Sequence, residues 1–392
     1  MSTSTGTSGT SGTSSSRSTR SSHSLPPITK KAGRIYLDTT GAVVAYPFPI
    51  DLAETHREIM LSQLNTTIFG SLILTEDLIL GEDNPPPRRV LEVCCDTGWW
   101  SAALHQQLQE RDRPATEFVG LDIKPPPPDA ETCYEGMGMT WEYVQHDVND
   151  TPWPLPDNSF DLVMIRNVAL ALDSSKYSQL VQEYVRVLRP GGTLELWEHD
   201  YNIRSMRPSI QQRQQQQNHA GGGDQSKLDK LGLYPISESR DFGPASNACV
   251  AEYNAWIKTA LADLHLPTMP CSYIETMFSG HLVEGSEDLD MMRVERVAVP
   301  FGGAEGGVSW EQQQNMGGPR ILTAEQEVVR RTALEGFVGM VEAFEPLLRA
   351  GGELSQVAWE DWIGKARKDW LQDGGFGLGE CLEFGVWSLR KK

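Results

Sequence analysis

The stretch Arg89-Val90-Leu91-Glu92-Val93-Cys94-Cys95-Asp96-Thr97-Gly98 decides the fold. Its apolar first half reads as a short buried strand ending in a turn. From Trp99 to Arg111 apolar residues then recur at helical spacing. The pattern repeats downstream. Residues Glu117–Ile123, Thr140–Gln145 and Phe160–Ile165 read as a second, third and fourth strand. An amphipathic helix over Tyr177–Leu188 is stopped by Pro190-Gly191-Gly192, and Thr193–Trp197 is a fifth strand. Short apolar strands alternating with helices imply a parallel sheet with helices on both faces. In such sheets ligands bind beyond the carboxyl ends of the strands, at the topological switch point.

Acidic residues fall at those ends. Asp122 closes the second strand, and His146-Asp147-Val148 follows the third. A carboxylate after strand two can accept hydrogen bonds from both hydroxyls of a ribose, and one after strand three can accept from an adenine amino group. The turn after strand one opens a helix, so its backbone N–H groups can meet an anion.

Taken in order, these residues resemble the class I S-adenosylmethionine (SAM)-dependent methyltransferases. Glu92 through Gly98 is similar to that family's motif I, an acidic residue followed by Gly-x-Gly-x-Gly. Asp122 matches its ribose-binding acid, Asp147 with Val148 its adenine-binding pair, and Arg189-Pro190-Gly191-Gly192 its turn before strand five. Upstream, Tyr46-Pro47-Phe48-Pro49-Ile50-Asp51 with Glu54 and Arg57 resembles the entry segment of fungal methyltransferases related to the velvet-complex regulators of secondary metabolism. There a helix ahead of motif I helps cover the cofactor. The resemblance implies a Rossmann-like seven-stranded α/β sheet, mostly parallel with an antiparallel C-terminal strand, carrying helical lid insertions. It implies SAM as cofactor, held by Glu92, Cys94, Asp96, Gly98, Asp122, Ile123, Asp147, Val148 and Arg166.

Motif I departs from the family at two glycines, replaced by Cys94 and Asp96. Asp96 is expected at positive φ, a region Asp visits more readily than most residues. Its charge would attract the sulfonium and amino groups of the cofactor and repel the carboxylate. Glu195, Glu198, His199 and Asp200 follow strand five and are expected on the substrate side. Among them His199 is the candidate general base, since its ordinary pKa suits proton removal near neutrality. The tryptophans Trp99, Trp100, Trp359, Trp362 and Trp370 read as core packing. The Asn/Asp-Pro-Pro-aromatic motif of nucleic-acid amino methyltransferases is absent after strand four, where Arg166-Asn167-Val168 stands.

Composition narrows the classes. The 392 residues carry a formal charge of −19, which opposes phosphate binding and argues against a nucleic-acid partner. No apolar run reaches the roughly 18 residues that cross a bilayer, so no membrane association is expected. The six cysteines show neither CxxC spacing nor a disulfide-scaffold pattern, so free thiols, and cytoplasm or nucleus, are expected. No metal site is read.

Residues 1–35 read as a disordered Ser/Thr-rich tail, too poor in leucine and aromatic residues for an amphipathic transit helix. Residues 36–392 are expected to form one methyltransferase domain. Within it, 88–205 is the SAM-binding half, 206–245 a low-complexity insertion rich in Gln and Gly, and 246–392 the substrate-side helices and final strands. The expected function is methyl transfer to a small-molecule or protein acceptor. The alternative is a non-catalytic regulatory or scaffold protein on a degraded methyltransferase fold. A dinucleotide oxidoreductase is set aside because Gly-x-Gly-x-x-Gly is missing after strand one.

Overall fold

The computed structural model describes residues 26–38, 46–76, 86–113, 115–207, 223–236, 241–279, 283–301, 322–371, 376 and 379–392. The chain opens with a hairpin, β1 (Ile28–Lys31) and β2 (Arg34–Leu37), followed by helix α1 (Leu52–Phe69). Asp51 caps α1 by accepting from the backbone N–H of Glu54, and Gly70 ends it in the left-handed region at φ 76°. Then come β3 (Arg89–Val93), α2 (Trp99–Glu110), β4 (Glu117–Asp122), α3 (Ala130–Gly136), β5 (Thr140–Gln145), β6 (Phe160–Arg166), α4 (Tyr177–Val187) and β7 (Leu188–His199). The later elements are β8 (Arg204–Met206), α5 (Gly223–Leu231), β9 (Tyr234–Pro235), β10 (Phe242–Pro244), α6 (Ala248–Asp263), α7 (Pro270–Ser279), β11 (Leu289–Pro300), α8 (Ala324–Ala343), α9 (Glu345–Gly351), α10 (Gln356–Leu371) and β12 (Glu380–Lys391).

Strands β7, β6, β3, β4 and β5 lie side by side in parallel, so the winding reverses between β3 and β6. That is the switch point where a ligand cleft is expected. β12 runs antiparallel against β7, and β11 antiparallel against β12. Among the described residues the sheet has ten strands rather than the expected seven. The three extra ones, β8, β9 and β10, are two or three residues long and extend the antiparallel edge. Pieces so short carry no period-2 pattern, so sequence could not show them. The Pro190-Gly191-Gly192 turn also differs: it lies inside β7, where Gly191 at φ 76° lets the strand bulge and continue.

Alternate residues of each central strand feed different cores. Val90, Leu162 and Met164 pack with Trp100 and Leu104 of α2 on one face. Leu91, Val93, Val163 and Ile165 pack with Leu180, Val181 and Tyr184 of α4 on the other. A third cluster joins α1, α6, α8, α9 and α10 to β11 and β12, and contains Trp359 and Trp370. Residues 1–25 of the tail lie outside the described residues, as do 208–222 of the insertion and the Gly-rich 302–321. Residues 28–31 already form β1, so the folded body begins inside the segment assigned to the tail.

Candidate functional site

The turn from β3 into α2 passes through three left-handed residues in alternation: Cys94 at φ 54°, Asp96 at 45° and Gly98 at 72°. Their positions coincide with the three glycines of the resembled motif, so the backbone path persists although two side chains have changed. The turn is tied down from below. The N–H of Cys95 donates to Leu121 O at 3.3 Å, and that of Gly98 to Cys95 O at 2.7 Å. Gly120 on β4 leaves room for Cys95: a Cβ there would stand 2.6 Å from its Sγ. At Gly98 an added Cβ would meet Trp141 and the Tyr134 hydroxyl at 3.2 Å.

Beyond the strand ends opens a cleft of about 240 Å³. Of the expected cofactor residues, Cys94, Asp96, Asp122, Ile123, Asp147, Val148 and Arg166 line it together. Glu92 and Gly98 do not line it. Buried Glu92 accepts from the N–H and hydroxyl of Ser101 and so anchors α2 to the strand, and burial pushes its carboxyl up to about 7. Gly98 only shapes the turn.

The Asp122 carboxylate is already engaged. One oxygen accepts from Asp96 N at 2.9 Å and the other from Lys124 N at 2.8 Å. Each oxygen keeps a second lone pair for a hydroxyl donor. Burial lifts Asp122 to about 6, against the pull of those two N–H groups. Asp147 accepts from the N–H of Asn149 at 2.9 Å, a local turn that fixes the loop after β5. Asp96 is ion-paired with Lys124. The charge that sequence alone set against an incoming carboxylate is therefore partnered.

Arg166 at the end of β6 is buried over the Trp197 ring, 5.0 Å from its centroid. Nη2 donates to Ser62 O of α1 at 3.4 Å, while Nη1 is buried with no partner among the described residues. An orphaned guanidinium nitrogen at the cleft wall is the group an anionic ligand would satisfy.

The roof comes from the segment before the sheet. Tyr46, Pro49, Ile50, Glu54, Thr55 and Glu58 all line the cleft. Arg34 of β2 grips Asp51 with two bonds of 2.6 and 2.7 Å and fastens the hairpin to the cap of α1. Arg57 binds both Glu54 and Glu58. Sequence reasoning missed Glu58, Lys124 and Asn149. Glu58 stands one helical turn after Glu54, a periodicity that could have put it on the same wall.

The structure places His199 off the cleft lining: it is 1% exposed and packs on Tyr201, with Nδ1 donating to Asn167 Oδ1 at 3.1 Å. Burial drives its pKa down to about 3, so it stays neutral. The other three acids are buried too. Glu195 accepts from the backbone of Leu74 and Thr75, and Glu198 from Val168 and Ala169. Asp200 lies with Cys271 and Glu383 in a cluster of metal-like geometry. Arg204 joins both of its carboxylates and Arg296 binds Glu383, so the charges close among themselves.

A family model described as a methyltransferase domain matches residues 90–192, the span that holds the turn, Asp122, Asp147 and Arg166. Residues 90–192 are thus similar to a methyltransferase domain. Within curated relatives, the secondary metabolism regulator laeA of Coprinopsis cinerea is 28% identical over 178 residues, 44% of this chain and 39% of that protein. The demethylmenaquinone methyltransferase of Listeria monocytogenes is 34% identical over 114 residues, 27% of this chain and 42% of the other. The matched part thus spans about two fifths of those relatives' length. The geranyl diphosphate C-methyltransferase of Streptomyces coelicolor aligns over 87% of this chain and 82% of its own, at 12% identity and a TM-score of 0.37. No helix among the described residues is long and apolar enough to cross a membrane.

Proposed function

We propose that the methyltransferase domain binds SAM in this cleft and transfers its methyl group to a small-molecule or protein acceptor. The observation that carries the proposal is the meeting of Asp122, Asp147 and the orphaned Arg166 Nη1 around one cleft at the switch point. Asp122 would hold the ribose hydroxyls, Asp147 with Val148 the adenine, and Arg166 the carboxylate of the methionyl end. When bound, SAM supplies a methyl carbon activated by its sulfonium. The protein then has to orient the acceptor and exclude water. His199, buried and neutral, is not assigned a proton-transfer role.

The similarity to a secondary metabolism regulator supports a place in the control of secondary metabolism, and the free cysteines support a reducing compartment, cytoplasm or nucleus. Against the scaffold reading stands the Asp96–Lys124 pair, which relieves the repulsion that made motif I look degraded.

Calorimetry with SAM and S-adenosylhomocysteine tests the cofactor. Asp122→Ala should abolish binding, and Asp122→Asn should weaken it, with far-UV spectra unchanged. Unaltered affinity in both variants rejects the assignment.

A further inference from the structure

Three carboxylates, Asp51, Glu54 and Glu58, meet two arginines, Arg34 and Arg57, at the start of α1. Arg34 serves Asp51 and Glu54, and Arg57 serves Glu54 and Glu58. Among the described residues the group therefore has one acid more than it has cations, and Glu58 is the half-buried member that lines the cleft. The Asp96–Lys124 pair, which also lines the cleft, is internally balanced. Arg166 also lines the cleft, and its Nη2 donates to Ser62 O of α1. The excess negative charge thus falls on the lining of the cleft, which Glu58 shares with Asp122 and Arg166.

We infer that Glu58 is the residue by which this protein distinguishes the sulfonium cofactor from its neutral thioether product. The inference rests on the SAM assignment above. SAM and S-adenosylhomocysteine share adenine, ribose, amino group and carboxylate. They differ by one methyl and one positive charge, so only a group acting on the sulfonium separates them. A carboxylate on the roof favours the cation, and loses hold once the charge has left with the methyl group. Release of product is then built into the charge balance.

Glu58 responds to its surroundings as such a group should. Burial, with Glu54 and Asp96 adding to it, pushes its carboxyl up to about 7, against the opposing pull of Arg57 and Lys124. The other groups that feel its charge are Tyr46 ahead of α1, Arg166 of β6, and Glu198 and Tyr201 around the end of β7. None of these is removed when Glu58 is replaced by its neutral isostere.

Calorimetry on the full chain at pH 6 and pH 8 provides the test, with SAM, S-adenosylhomocysteine and sinefungin, whose amine keeps a positive charge at the sulfonium position. The wild-type protein should prefer both cationic ligands to S-adenosylhomocysteine at pH 8. That preference should shrink about tenfold at pH 6, the order expected for one charge at close range in a partly solvated cleft. Glu58→Gln should show the small preference at both pH values while binding S-adenosylhomocysteine as wild type does. Glu58→Asp, which keeps the charge, should restore part of the preference. If all three ligands bind and Glu58→Gln leaves the ratio and its pH dependence intact, the role given to Glu58 is wrong. If none binds to the wild-type protein, the cofactor assignment itself falls, and Glu58 with it.

Discussion

Gly98 and Asp96 share a left-handed backbone, yet substitution should treat them differently. An alanine at position 98 adds a Cβ both to a φ of 72° and to a contact of 3.2 Å with Trp141 and the Tyr134 hydroxyl. Gly98→Ala should cost about 1–2 kcal/mol in urea denaturation, the scale of forcing an L-residue into that region. Asp96→Asn should cost less than about 1 kcal/mol, because Asn tolerates the same region and the lost ion pair is partly exposed. Equal losses in the two variants would mean that backbone strain does not govern this turn. Arg166→Gln is the complementary change on the cleft wall. It should weaken SAM and S-adenosylhomocysteine alike, by about tenfold or more, since both carry the carboxylate and a charged hydrogen bond contributes on that scale. A drop confined to SAM would place the carboxylate elsewhere.

At the level of elements, α1 roofs the cleft but belongs to no strand of the main sheet. Its position depends on the Asp51 cap and on the two bonds from Arg34. Asp51→Ala removes both at once. Loss of the cap alone costs about 1 kcal/mol, and with α1 loosened, affinity for S-adenosylhomocysteine should fall although no expected cofactor contact has been touched. Unchanged affinity together with a lower melting temperature would show that the roof does not contribute to binding. The elements around motif I were legible because each carries a pattern: short continuous apolar runs in β3, β4 and β6, and helical spacing in α2 and α4. The roof was only half legible. Tyr46 to Asp51 stood out by resemblance, whereas Glu58 and Lys124 matter through charges that meet across 66 residues of chain, which no local pattern records. The burial of His199 was illegible for a related reason. Its type suits a base, but the strand β7 runs two residues further than its apolar core and carries the ring inside, next to Tyr201 and Phe384.

For the molecule as a whole, the unusual feature is how many carboxyls burial has lifted. Glu58 and Glu92 reach about 7, Asp122 about 6 and Glu198 about 8, and Asp200 is raised as well. Each binds its proton more tightly in the folded chain than in the unfolded one. Between pH 5 and pH 8 the folded state must therefore give up protons that the unfolded state has already lost, and stability falls as pH rises. His199 acts in the opposite sense. Its folded pKa is depressed to about 3, so its contribution is full above about 6.5 and is lost as pH falls below that. The ligand-free protein should show its highest melting temperature near pH 6 and a clear decline by pH 8. A melting temperature that rises steadily from pH 6 to pH 8 would contradict the ionisation states assigned to these groups.

The placement of β12 has a consequence for biosynthesis. This strand, residues 380–391, lies between β7 and β11 and also touches β8. Near its end, Lys391 donates to the carbonyls of Val185 and Leu188, where α4 gives way to β7. Until β12 is made, β7 presents an unpaired flank of seven residues, Thr193–His199, with its apolar neighbours uncovered. A flank of that kind invites pairing with another nascent chain. Chains released before residue 380 should accumulate as insoluble material, and a chaperone that shields strand edges should be needed until residues 380–391 arrive.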